Sequence, residues 1–97
     1  MIDIFSLLKN IGKIESLAGE FSKRLDELRS VGSSGGGMVE VTCNGKKDVL
    51  DIKIEDGLEK DPKMLKDLII SAISDAQKNA EALFLDEIKG LISKFSP

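Results

Sequence analysis

The chain has 97 residues, 41% of them hydrophobic and 32% charged, with a formal net charge of −3 and a pI near 4.9. That balance fits one globular domain and excludes a protein that coats nucleic acid through bulk positive charge. Histidine, tryptophan and tyrosine do not occur and Cys43 is the only cysteine, which excludes intramolecular disulfides and Cys/His zinc sites.

The opening stretch, MIDIFSLLKNIGKIESL, does not read as a signal peptide. Asp3 comes first, Lys9 and Lys13 interrupt the apolar run, and no small-residue cleavage site follows. No stretch approaches 18 uninterrupted apolar residues, so no membrane span is expected and the chain reads as cytoplasmic. Ile4, Ile11, Ala18 and Leu25 recur every seven residues, and Leu7, Ile14, Phe21 and Leu28 repeat with an offset of three. This a/d seam predicts a long helix over residues 1–28 that needs a long partner. The candidates are the second helix of this chain or the same helix of another subunit.

Residues 32–37, GSSGGG, break the helical pattern, with a short strand starting at Ser30-Val31. The glycines follow a helix and precede a strand, the reverse of a phosphate-binding loop, and no Walker or dinucleotide spacing is present. They are expected to supply positive φ at a joint. MVEVTCN and DVLDIKIE then alternate apolar and polar residues around Asn44-Gly45. A two-residue type I′ turn there would pair Cys43 with Lys46, Val41 with Asp48 and Val39 with Leu50. It would place Val39, Val41, Leu50 and Ile52 on one face. Residues 29–56 therefore read as a small three-stranded antiparallel sheet with one open edge. Cys43 falls on its apolar side with no histidine to activate it, so it reads as a small buried residue rather than a nucleophile.

Asp61 followed by Pro62 predicts the start of a second long helix, running to at least Leu85 and on through a tail to about residue 95. Leu65, Ile69, Ala72, Ile73, Ala76, Ala80 and Leu83 form one stripe, with small residues that allow close approach. Phe84, Ile88, Leu91, Ile92 and Phe95 drift to another face, as in a tail that packs on something. The acidic group Glu55, Asp56, Glu59 and Asp61 lacks the spacing of a calcium loop and reads as a solvated turn.

The predicted order makes residues 1–97 a single α+β domain: long helix, small sheet, long helix. Both helical segments balance five basic against five acidic residues, and the sheet region is acidic, four against seven. No catalytic constellation, metal site, cofactor or small-molecule substrate is indicated. With no aromatic residues on the outer helix faces, a single-strand stacking platform is not expected either.

Three segments carry a resemblance: G-x-x-G-G-G-M-V-x-V-x-x-N-G, I-x-I-E-D-x-L-x-x-D, and M-L-x-D-L-I-x-x-A-x-x-D-A, together spanning roughly residues 29–85. In these the chain resembles the YbaB/EbfC family of bacterial nucleoid-associated proteins. The resemblance implies a tweezer-like homodimer with paired sheets at its centre and projecting helices. It further implies double-stranded DNA as partner, bound with low sequence preference, a place in the nucleoid, a link to gene regulation, and no enzyme activity. On projecting helices, Lys9, Lys13, Lys23, Arg24 and Arg29 would lie near phosphates, with Lys78 and Lys89 from the second helix. The alternative is a dimeric scaffold for a DNA-processing or regulatory protein, motivated by the apolar tail.

Overall fold

The computed structural model describes residues 11–94, with side chains described from Glu15 onward. Helix α1 (Ile11–Glu27) leads into strand β1 (Ser30–Ser34), and a tight glycine turn joins β1 to β2 (Val39–Cys43). Strand β3 (Val49–Ile54) and a short 3₁₀ turn lead to helix α2 (Pro62–Ser93). The sheet is antiparallel in the order β1-β2-β3. The expected α+β order and three-stranded sheet are therefore present.

Helix α2 crosses β1 and β2 on one face. Val39, Val41 and Cys43 point into that contact and are fully buried against Ala72, Ala76 and Ala80. Burying each valine is worth about 1.5–3 kcal/mol. The small residues of α2 meet an equally small one below: a Cβ on Gly32 would lie 2.0 Å from the backbone nitrogen of Ala76 and 2.7 Å from the carbonyl of Ala72. Glycine at 32 and alanine at 72, 76 and 80 set the height of the helix above the sheet.

The same approach latches the two elements by hydrogen bonds. Ser30 Oγ donates to the carbonyl of Ala76 at 2.9 Å, and Ser34 Oγ to that of Leu68 at 2.6 Å. Asp75 accepts from the backbone N–H of Ser33 and Asn79 donates to the carbonyl of Val31. Strand β1 ends the sheet on this side, and α2 supplies partners to its backbone.

Helix α2 begins as the sequence indicates. Pro62 occupies its first turn and Asp61 Oδ1 accepts from the N–H of Met64 at 3.1 Å. The glycine turn also behaves as a joint, with φ of +59°, +67° and +96° at Gly35, Gly36 and Gly37.

The β2–β3 hairpin departs from the expected turn. Val39 lies opposite Ile54, Val41 opposite Ile52 and Cys43 opposite Val49, with an irregularity between Thr42 and Cys43. At Val39 and Val41 the pairing is displaced by four residues from a two-residue Asn44-Gly45 turn. Asn44 is the cause: its Oδ1 accepts from the N–H groups of both Lys46 and Asp48, and its own N–H donates to the carbonyl of Asp48. This closes a five-residue loop over 44–48, with the positive φ (+70°) at Lys47. Gly45 meets a different demand: its N–H donates to the carbonyl of Leu25 at 2.8 Å, and a Cβ there would sit 2.9 Å from that oxygen. Because the displacement is an even number of residues, the facing of the side chains survives it.

The seam of α1 is only partly used. Leu25 is buried and Phe21 and Leu28 are half-buried, whereas Ala18 is exposed and Leu17, off the heptad, takes its place. Phe21 meets Phe84 edge-on at 5.9 Å, so part of the drifting apolar face of α2 packs on α1 of the same chain. Ile4, Leu7 and Phe95 lie outside the described residues.

Candidate nucleic-acid interface

Seven basic residues are the sequence-derived candidates, and their surroundings differ. Lys9 lies outside the described residues, as does the side chain of Lys13, although its backbone belongs to α1. Lys23 is exposed on α1 with no ion-pair partner among the described residues. Lys78 and Lys89 are exposed in the same way on α2. At 100° per residue they lie within about 20° of one another around α2, opposite the Ala72–Ala76–Ala80 stripe, and about 16 Å apart along the axis. Both therefore point away from the sheet.

Arg29 and Arg24 are engaged. Arg29 Nη1 donates to the carbonyls of Asp26 and Leu28 at 2.7 and 2.8 Å, closing the C-terminal end of α1 where the helix dipole favours a cation. Arg24 forms a two-pronged pair with Glu87 of α2, Nε to Oε2 at 2.7 Å and Nη2 to Oε1 at 2.9 Å. The paired guanidinium holds the Glu87 carboxyl below its usual range, and the carboxylate raises Arg24 in turn. The Arg24 side chain is nonetheless 64% exposed, against 19% for Glu87.

Two lysines that sequence reasoning passed over tie the hairpin loop to both helices: Lys46 pairs with Asp26 of α1 at 2.9 Å, and Lys47 pairs with Glu81 of α2. Gln77 Nε2 adds a bond to the carbonyl of Lys47. The adjacent Asn-Gly-Lys-Lys run was the only available signal, and it reads as a turn before it reads as a hub.

Charge is sorted along the molecule. Asp51, Glu55, Asp56, Glu59 and Asp61 line β3 and the following turn, where Glu59 accepts from the N–H of Gly57 and Asp61 caps α2. Most cationic positions lie on the helices and the hairpin loop, with Lys53 on β3 and Lys60 in the turn that follows. The acidic excess at the β3 end repels a polyanion, whereas the helices, balanced in formal charge, do not.

The cleft between α1 and α2, lined by Leu17, Phe21, Arg24, Glu87, Leu91 and Lys94, encloses about 170 Å³. That is below the roughly 300–1,000 Å³ of a typical small-molecule site; a wider, shallow apolar groove at the start of α2, lined by Leu65, Ile69 and Ile70, measures about 360 Å³. Cys43 is buried, and desolvation pushes its thiol up, with Asp48 adding to the effect. Both are opposite to what an activated nucleophile needs. Among the described residues, no group of three His, Cys, Asp or Glu side chains could hold a metal ion, and no helix is long and apolar enough to cross a membrane.

The sequence model of the YbaB/EbfC DNA-binding family matches residues 1–95. A nucleoid-associated protein of Rhodopseudomonas palustris is 34% identical, over 99% of this chain and 93% of the relative. One from Legionella pneumophila is 37% identical, over 89% and 78% respectively. The crystal structure of an uncharacterized protein from Helicobacter pylori shares the fold, with a TM-score of 0.80 at 23% identity, covering 95% of this chain and 99% of the other.

Proposed function

The chain belongs to the YbaB/EbfC DNA-binding family, and from that premise we propose that it is a non-catalytic, homodimeric nucleoid protein that holds double-stranded DNA with low sequence specificity. The observation that carries the reading is the line of Lys78 and Lys89 on the outer face of α2, exposed and without ion pairs among the described residues. Lysines at this spacing are point charges suited to phosphates, and phosphate contacts position a protein without reading sequence. Lys23 adds to the set from α1, with Lys9, Lys13, Arg24 and Arg29 as further contacts. Low sequence preference is what contacts to phosphates alone would give. An effect on gene expression would then come from occupancy along DNA.

The homodimer reading is supported by β3. Leu50, Ile52 and Ile54 continue the apolar face of Val39 and Val41 beyond the cover of α2, and Ile52 and Ile54 are 38% and 43% exposed. Among the described residues no element covers their strand edge, unlike that of β1. A second copy pairing there would bury both the edge and the face, leaving the helices to project.

Anisotropy titration of a fluorescent duplex over a salt series tests the DNA reading. Affinity should fall with log salt at about 0.9 log units per phosphate neutralised. Absence of binding at low salt refutes it. Sedimentation of wild type and Ile52→Asp tests the dimer: the variant should run as a monomer, and an unchanged mass would refute pairing through β3.

A second reading, a scaffold for a DNA-processing or regulatory protein, is favoured by Leu85 and Ile92, which stand 48% and 59% exposed on the distal part of α2. If removing residues 86–97 leaves partner capture intact, that reading loses its basis.

A further inference from the structure

Among the described candidate cations, Arg24 is the one that is both reachable and already occupied by a carboxylate. Its planar fork takes Glu87 with two parallel bonds, at 2.7 and 2.9 Å. A phosphate presents the same pair of oxygens to the same fork, and arginine is favoured wherever such two-pronged recognition is used. The guanidinium is open to solvent on the side away from Glu87, while the carboxylate is the better-buried partner, against α1. Nothing else in the contact requires an ion pair: the Phe21–Phe84 stack already joins the two helices here.

We propose that Glu87 occupies, in the DNA-free protein, the place on Arg24 that a backbone phosphate takes in the complex, so that Glu87 acts as an internal competitor that limits DNA affinity. The proposal rests on the DNA reading above and adds to it a residue that opposes binding. For Arg24 to meet a phosphate it must give up or share Glu87. The exchange trades one charge-assisted pair of Arg24 for another, and its cost is that Glu87 loses its partner.

Duplex affinity of five proteins decides the matter: wild type, Glu87→Gln, Asp86→Asn, and Arg24→Gln with and without Glu87→Gln. Asp86 is an exposed neighbour with no contact to Arg24, so its variant makes the same change in net charge without freeing the fork. Glu87→Gln should tighten binding roughly three- to five-fold at moderate salt, the scale of one exposed ion pair. Asp86→Asn should change affinity less than about two-fold, and Glu87→Gln should have no effect in the Arg24→Gln background. Equal tightening by Glu87→Gln and Asp86→Asn would overturn the proposal, as would tightening that persists without Arg24. In the wild type, the Arg24 Nε–H resonance should move when duplex is added; binding that leaves it unmoved overturns the proposal without recourse to any variant. If neither wild type nor Glu87→Gln binds duplex at low salt, the DNA reading itself falls and this inference with it.

Discussion

Replacing Gly32 with alanine should be among the most damaging single-methyl changes available to this protein. Gly32 has no need of positive φ, so alanine fits its backbone, and restricting the unfolded chain would by itself favour the variant by about 0.4–1 kcal/mol. The obstacle is space. The new Cβ would stand 2.0 Å from the nitrogen of Ala76 and 2.6 Å from its Cα, both backbone atoms that no rotamer change can move. Restoring ordinary contact requires α2 to lift by about 1.4 Å over β1. Overpacking of this kind costs about 1–3 kcal/mol. The lift also stretches the bonds from Ser30 to Ala76 and from Ser34 to Leu68, each worth about 0.5–1.5 kcal/mol. A net loss of about 1–5 kcal/mol follows, a large part of the roughly 5–15 kcal/mol expected for a domain of this size. Urea unfolding followed by circular dichroism, at matched protein concentration, reads the loss as a lower midpoint with an unchanged slope. Gly19→Ala is the counterpart: it sits in α1 with nothing within 4 Å of the new Cβ and should gain about 0.5–1 kcal/mol. If the two variants unfold within 1 kcal/mol of each other, the close approach of α2 to β1 is not what holds this fold.

Asn44→Ala strips two N–H groups of their acceptor inside a buried corner and should cost about 1–3 kcal/mol, with faster amide exchange at Lys46 and Asp48. Cys43 should resist a thiol reagent at pH 8 until denaturant is added, because burial raises its thiol and shields it; labelling of the native protein at the rate of a free thiol would contradict that. The Arg24–Glu87 pair predicts a pH signature. Because the folded-state carboxyl of Glu87 titrates below its unfolded value, its contribution is present above the ordinary carboxylate range and is lost as pH falls through the lowered value. The difference in melting temperature between wild type and Glu87→Gln should therefore exist at neutral pH and vanish in strong acid. A constant difference would mean that the pair contributes nothing through its charge.

Most of the architecture was legible because its signals are local. Asp61-Pro62 carries a helix start in its own atoms, the three consecutive glycines carry a joint, and the alternation in VEVTC carries a buried face. The hairpin register was not legible, because Asn44-Gly45 serves two masters. A two-residue turn satisfies the loop alone, whereas the observed loop also brings Gly45 against the carbonyl of Leu25, a contact 20 residues away in sequence. The heptad of α1 misled in a related way. A seam read over many turns presumes one long partner, and over the described residues α1 meets only the distal part of α2, around Phe84 and Glu87. The cationic residues were all visible, but not their states. Sequence cannot distinguish Lys78, which is unpaired among the described residues, from Arg24, which is held by a residue 63 positions away.

The two borders of the sheet have unequal fates, and this bears on how far the molecule can polymerise. On β1, Asp75 and Asn79 occupy the backbone groups that an incoming strand would need. On β3, no such cover exists among the described residues, and Val49–Ile54 is a six-residue run of high strand propensity. A chain with two sticky borders can add copies head to tail without limit and form fibres; a chain with one can join only its own likeness and then has nothing left to offer. If the protein pairs through β3 as proposed, loosening the hold of α2 on β1, as Asp75→Ala with Asn79→Ala would do, should turn a self-limiting pair into a growing chain of copies.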